Sequence, residues 1–229
     1  MNENMKKVLE EVYDEEVNGS WFERDYMYLA NAYSEIKCLW TEQFNKINLV
    51  RFVMLAEAPL WGDGKQYIYN ERAPFSQFLY RSDLQPSVSQ QIESKKDMIA
   101  CLNDLGIIVT DILPFPLAPK KTALSYASKR GSDSKSITSA NYEKLIEETF
   151  RYHLKPKLDK IKEKSINKDL KETIFFYRYA RVMNYHSTLS KLFEETFNVC
   201  LDRCHISQRG GGVNKDAFAN LLKETDGRN

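Results

Sequence analysis

The chain has 229 residues, enough to bury a normal hydrophobic core in one domain without disulfide or metal staples. Hydrophobic residues at 42% and charged residues at 28% place it among soluble globular proteins rather than disordered or membrane-embedded ones. Lys plus Arg (33) nearly balances Asp plus Glu (32), so the net charge of +1 gives no global argument for a polyanionic partner, although a local basic patch is compatible with it.

Four cysteines (Cys38, Cys101, Cys200, Cys204) form no CxxC pair, and three histidines (His153, His186, His205) show no metal-ligand spacing. No metal and no other cofactor is expected, and the cysteines read as packed, reduced thiols. The N-terminus, MNENMKKVLEEVYDEE, is charged throughout and lacks the apolar segment of a signal peptide, so a cytoplasmic location is expected.

Taken in chain order, residues 4–17 and 23–45 are predicted as helices, because Met27, Leu29, Ala30, Tyr33, Ile36, Leu39 and Trp40 recur near helical spacing between charges. Residues 1–46 are thus an N-terminal helical layer, and residues 47–229 an α/β core, within a single domain. Asn48 to Ala56 is a short, nearly uninterrupted apolar run ending at Pro59, the pattern of a strand buried on both faces of a parallel sheet. Residues 60–73 form a loop, with Pro74 opening a short helix through Tyr80, and Val88 to Asp104 is a helix.

Gly106 to Leu113 is the second buried strand, dense in β-branched residues and stopped by Pro114 and Pro116. Leu117 to Thr138 turns to Lys, Ser and Ala and reads as a polar loop. Thr138 to Lys164 is a long amphipathic helix, bent or broken before Pro156. Glu172 to Tyr177 and Val199 to Ile206 are the third and fourth strands, alternating with helices at Tyr185 to Phe197 and Asn214 to Thr225. The expected fold is a three-layer α/β/α domain around a central four-stranded parallel sheet.

In such a sheet ligands bind where loops leave the carboxyl ends of the strands. The segments selected are Glu57–Asn70, Asp111–Pro119, Tyr177–Asn184 and His205–Gly212. Glu57 follows an apolar strand, where desolvation raises a carboxyl pKa into the useful range of a general base; it either does that or pairs with Arg72 or Arg181 or caps a helix. Tyr67 and Tyr69 alternate on the loop, as core or as stacking surfaces for a planar ligand. Asp111 sits inside an apolar run, which requires hydrogen bonds to its carboxylate, whether from a loop amide or from a ligand. His205-Ile206-Ser207-Gln208-Arg209-Gly210-Gly211-Gly212 joins a strand to a helix through three glycines, which suits a phosphate cradle or a backbone lying against a ligand. Neither GxGxxG nor GxxxxGK[ST] occurs, and no GxSxG elbow.

The order of these motifs resembles the uracil-DNA glycosylase superfamily. AEAPLWGDG followed by PFSQFL looks like that family's GEAPG motif and its PF-containing segment; IIVTDILPF is similar to the strand carrying its base-reading Asn; and His205-x-Ser207 is similar to its terminal HPS. The likeness spans most of residues 48–224. It implies that Glu57 positions or activates water at the sugar C1′, that Phe75 stacks on a flipped base, and that Asp111 stands at the base's Watson–Crick edge. It also implies that His205 stabilises the departing base and that Ser207, Arg209, Gly210 and Gly211 grip DNA phosphate.

Asp111 in place of Asn accepts hydrogen bonds but, when ionised, does not donate them, so a base presenting an amino group is favoured over uracil. Ile206 replaces the proline of HPS, no tyrosine follows Pro59, and the four-cysteine arrangement of iron–sulfur members is missing. The expected partner is single- or double-stranded DNA, with Lys120, Lys121, Lys129, Arg130 and Lys135 as a basic loop facing phosphate or merely solvent. Two other readings stay open: a DNA-binding module of the same fold without hydrolysis, and an α/β enzyme acting on a free nucleoside or nucleotide.

Overall fold

Two neighbouring helices begin the computed structural model, which describes residues 1–75, 78–126, 133–209 and 211–223. Helix α1 (Glu3–Glu16) starts at Asn2, whose side chain accepts from the amide of Asn4, and α2 (Gly19–Lys46) starts at Asn18, whose side chain accepts from Ser20. Their apolar stripes pack together, and α2 runs on to bury Ile36, Trp40 and Phe44.

Strands β1 (Phe52–Ala56), β2 (Ile107–Asp111) and β5 (Ile174–Tyr177) form a parallel sheet in the order β2-β1-β5. Phe52 pairs with both Ile107 and Ile174, and Ala56 pairs with Asp111, so β1 and β2 end level. Every residue of β1 and β2 is buried. Successive side chains point to opposite faces, so both faces of the sheet are covered. The protein is therefore a mixed α/β structure with a small parallel sheet, and no helix among the described residues is long and apolar enough to cross a membrane.

Three expected elements come out differently. The fourth strand is reduced to a single parallel bridge, Tyr177 to His205, held by Tyr177 N donating to the Cys204 carbonyl (2.8 Å) and Ile206 N donating to the Tyr177 carbonyl (3.1 Å). Upstream of that bridge the two segments part, leaving a crevice of about 240 Å3 between Thr173–Phe175 and Asn198–Asp202. The helix expected from Val88 begins only at Lys95 (α4, Lys95–Asp104), because Ser94 and Asp97 form a reciprocal capping box there. Of the short helix expected from Pro74 to Tyr80, Pro74, Phe75 and residues 78–80 are not helical and residues 76–77 lie outside the described residues; among the described residues the first helix after Pro74 is α3 (Arg81–Leu84), which follows Tyr80.

The long helix after Thr138 is broken as its proline suggests, into α5 (Ser139–Phe150) and α6 (Leu154–Glu163), with Pro156 in the first turn of α6 where its missing N–H is harmless. Between β2 and α5 the described residues of the polar loop hold the two-residue pair β3 (Leu124–Ser125) and β4 (Lys135–Ser136). Helices α7 (Ala180–Met183), α8 (His186–Phe197) and α9 (Lys215–Lys223) are the last helices among the described residues.

A buried carboxylate ties the first helix to the fifth. Glu16 at the end of α1 accepts from Thr138 N (2.8 Å), Thr138 Oγ1 (2.6 Å) and Asn141 Nδ2 (2.9 Å) at the start of α5, and pairs with Lys135 (3.0 Å). Burial by itself would raise the Glu16 pKa, but these hydrogen bonds outweigh it and pull it down to about 2. Because the folded pKa lies below the unfolded one, the unfolded chain binds more protons between them, so this contribution is complete above the ordinary glutamate pKa and is lost as pH falls toward 2. Glu16→Gln is expected to lower unfolding free energy by on the order of 2 kcal/mol at neutral pH and to flatten the acid side of the stability profile, read by urea denaturation at several pH values. A variant with the wild-type acid profile would count against this role.

Candidate functional site at the carboxyl edge of the sheet

The carboxyl edge of the sheet carries Asp111 as the last residue of β2, Glu57 just past β1, Arg178 just past β5, and His205 beside β5. Parallel neighbours stand roughly 4.8 Å apart, so the backbones of Asp111 and His205, three strand positions apart, are separated by roughly 15 Å with Glu57 between them.

Glu57 is 8% exposed and both of its oxygens are engaged. Oε2 accepts from Arg181 on α7 in a close ion pair, and Oε1 accepts from the Tyr142 hydroxyl of α5 at 3.1 Å. The Tyr142 ring stacks on Tyr185 (4.2 Å between centroids, 11° between planes), which holds its hydroxyl in place. Burial raises the Glu57 pKa, and the Arg181 charge and the Tyr142 bond offset that only in part. Of the partners expected from sequence it is Arg181, not Arg72, that pairs with Glu57.

Asp111 is 2% exposed, and burial lifts its pKa to about 6 against the opposing charge of Lys157 and the nearby Tyr67 hydroxyl. Oδ2 has no hydrogen-bond partner of good geometry, nor does Tyr67 Oη. Both residues line a cavity of about 10 Å3 with Ala58, Leu60, Gln66 and Phe78, room for one water at most. Neither Glu57 nor His205 lines that cavity.

Tyr67 and Tyr69 are buried and meet edge to face at 5.7 Å, so neither presents a ring to a ligand. The Tyr69 hydroxyl instead accepts from Val109 N (2.6 Å) and lies 3.4 Å from the Val109 carbonyl, which also accepts from Trp40 Nε1 at 3.1 Å. Val109 is in the middle of the edge strand, and these side chains satisfy its outward backbone groups. Tyr67 gives its carbonyl to the buried Lys95 ammonium (2.7 Å), whose pKa burial lowers to about 8. Phe75 is half-buried against the core.

At the far end His205 is half-buried, with Nδ1 3.0 Å from Ser207 Oγ. That oxygen accepts from Ala180 N (2.9 Å), so Ser207 ties the last loop to α7 rather than standing free for a phosphate. His205 Nε2 has no partner among the described residues. The glycine turn is closed on itself: Gly211 N donates to the Gln208 carbonyl (3.0 Å), and Gln208 N donates to the Gly212 carbonyl (2.9 Å). An open phosphate cradle is therefore not what Gly211 supplies, although its φ of +90° does require glycine. Gly210 lies outside the described residues, and Arg209 is exposed.

Sequence reasoning passed over Arg178, which is fully buried and ties the edge together. Its Nε donates to the Phe78 carbonyl (2.5 Å) and Nη2 to the Gly211 carbonyl (3.1 Å), and its guanidinium lies 4.3 Å from the Tyr179 ring. It also passed over Tyr142, and over His153 and Lys157 behind Asp111; a His and a Lys four apart at the head of a helix was the available signal. In the basic loop Lys121 is paired with Asp63 and Lys135 with Glu16, Lys120 is exposed, and Lys129 and Arg130 lie outside the described residues. Among the described residues no group of three His, Cys, Asp or Glu is placed to hold a metal ion. Compared with protein-family models, with curated proteins and with solved structures, the chain has no match.

The Tyr69 brace can be tested separately from any activity. Tyr69→Phe leaves the ring in place and strips Val109 N of its acceptor, so a loss of roughly 1–3 kcal/mol in unfolding free energy is expected from denaturant titration. An unchanged midpoint would show that water or another group replaces the hydroxyl.

Proposed function

We propose that the chain is a uracil-DNA glycosylase-like protein that acts on a base extruded from DNA, by hydrolysis of the N-glycosidic bond. The observation that carries this reading is the placement of Glu57, Asp111 and His205 along one carboxyl edge of one parallel sheet, with the Glu57 carboxyl desolvated and its pKa raised. In the same reading residues 199–206 take the place of the fourth strand of a three-layer α/β/α domain, and the bridge at His205 is what supports it.

The roles follow from the partners. Glu57 is the base that activates water, and Arg181, whose side chain is 44% exposed, holds it until a DNA phosphate competes for the guanidinium. His205 offers Nε2 to the departing base, with Ser207 holding the opposite nitrogen. Asp111 and Tyr67 meet the Watson–Crick edge once the small cavity beside them opens to a base. Phe75 and the exposed Arg209 remain the proposed stacking and phosphate contacts.

A second reading has its own observation: both Glu57 oxygens are occupied and the Asp111 cavity holds no more than a water, as in a DNA-binding protein of this architecture without hydrolysis. Incubation with single- and double-stranded oligonucleotides carrying deaminated or otherwise altered bases separates the two. Base release lowered by about 10²–10⁴-fold in Glu57→Gln supports hydrolysis. Salt-dependent binding without release on the whole panel selects the second reading, and neither binding nor release overturns both.

Asp111 adds a pH signature. Below its pKa of about 6 the neutral carboxyl both donates and accepts, as an amide does, and above it the carboxylate only accepts. Release of uracil relative to an amino-bearing base is therefore expected to fall as pH rises through about 6, and Asp111→Asn is expected to abolish that dependence. A constant ratio across this range in the wild type would remove Asp111 from base reading.

A further inference from the structure

Behind Asp111, between α2 and α6, lies a separate cavity of about 200 Å3. Its walls include the rings of Tyr33, Trp40, Tyr152 and His153 beside the aliphatic Ile36 and prolines Pro114 and Pro156, and its charges are Lys37 and Lys160 at the exposed mouth and Lys157 in the buried wall. Among the described residues no acidic side chain lines it, in a chain where acids and bases are nearly equal in number.

Lys157 is the odd group. It is buried, and among the described residues its one polar contact is His153 Nε2 at 3.5 Å. That same nitrogen lies 3.0 Å from the backbone carbonyl of Asp111, which only accepts, so Nε2 carries the proton and donates there. It then has no lone pair for the ammonium. Lys157 is left over the face of Trp40, 5.3 Å from the ring centre, with no carboxylate oxygen within 4 Å among the described residues. A buried cation without a carboxylate in direct contact is costly, and burial accordingly lowers the Lys157 pKa to about 8, with the more distant Asp111 charge working against the shift.

We propose that this cavity is a binding site for a small planar anion, an aromatic or heteroaromatic carboxylate, with the carboxylate on Lys157 and the ring against Trp40, Tyr33 and Tyr152. The anion completes the missing pair, and the flat walls select a flat body. The rim lysines draw the ligand in. Nothing in this site depends on whether the sheet edge acts on DNA.

The full-length protein is titrated with benzoate and with orotate, using benzamide as the neutral planar control and inorganic phosphate as the non-planar anion. Tryptophan emission reports occupancy, and the signal belonging to the cavity is the part lost in Trp40→Phe. At least one of the two carboxylates is expected to bind saturably below about 10 mM, with benzamide about tenfold weaker or more and phosphate silent. Lys157→Met is expected to weaken carboxylate binding by about tenfold or more at an unchanged unfolding midpoint. Should that buried substitution disturb folding, Lys37→Gln with Lys160→Gln on the surface is expected to weaken binding by about threefold in a protein of wild-type stability. The proposal is overturned if neither carboxylate saturates, if benzamide binds as well as benzoate, if natively folded Lys157→Met binds unchanged, or if the rim pair makes no difference where Lys157→Met does not fold.

Discussion

A three-stranded parallel sheet has two edges, and the backbone groups of an edge strand must find partners somewhere. In β2 the outward groups of Val109 find them in two side chains from distant parts of the chain, the Tyr69 hydroxyl and the Trp40 indole. That constraint determines much of what surrounds it. Tyr69 brings the loop after β1 down over the edge, which buries Tyr67 against it and closes the space beside Asp111. Trp40 brings α2 to the same edge, and the gap between α2 and α6 becomes the aromatic cavity that Lys157 faces.

Drying this edge sets the electrostatics. Asp111, His153 and Lys157 share a water-poor region, and each is shifted toward its neutral form: the Asp111 pKa rises, while those of His153 and Lys157 fall. Glu57, one strand away, is shifted in the same direction as Asp111 but keeps a charged partner in Arg181. The two carboxyl groups are thus held in different ways, one by an ion pair at the rim and one by near-isolation in the interior. Such separation of environments is what lets two like groups carry different roles.

The elements legible in the sequence were those with a single dominant cause. The apolar runs of β1 and β2 read as strands buried on both faces because they are, and Pro156 marked the break between α5 and α6 because a helix tolerates proline only in its first turn. Val199 to Ile206 pairs with β5 only through the bridge at His205, because its apolar residues mark burial against the core while Asp202 and Arg203 keep the other side in solvent and a crevice separates it from most of β5. Tyr67 and Tyr69 could equally be core or ligand surface on composition alone, and the decision fell to Val109, forty residues beyond Tyr69. Glu57 was placed correctly at the strand end, but Tyr142 beside it comes from a helix with no sequence mark of that contact. Long-range side-chain pairings of this kind carry no local periodicity.

The proposal that the carboxyl edge receives a DNA base rests on the arrangement of Glu57, Asp111 and His205 in the free protein. The most direct test is a crystal structure with single-stranded DNA containing 2′-fluoro-2′-deoxyuridine, whose N-glycosidic bond resists hydrolysis. The base is expected between Asp111 and His205 with Glu57 beneath the sugar, and Arg181 drawn from Glu57 to a phosphate. DNA lying on another face, with the Glu57–Arg181 pair intact and the edge closed, would contradict it.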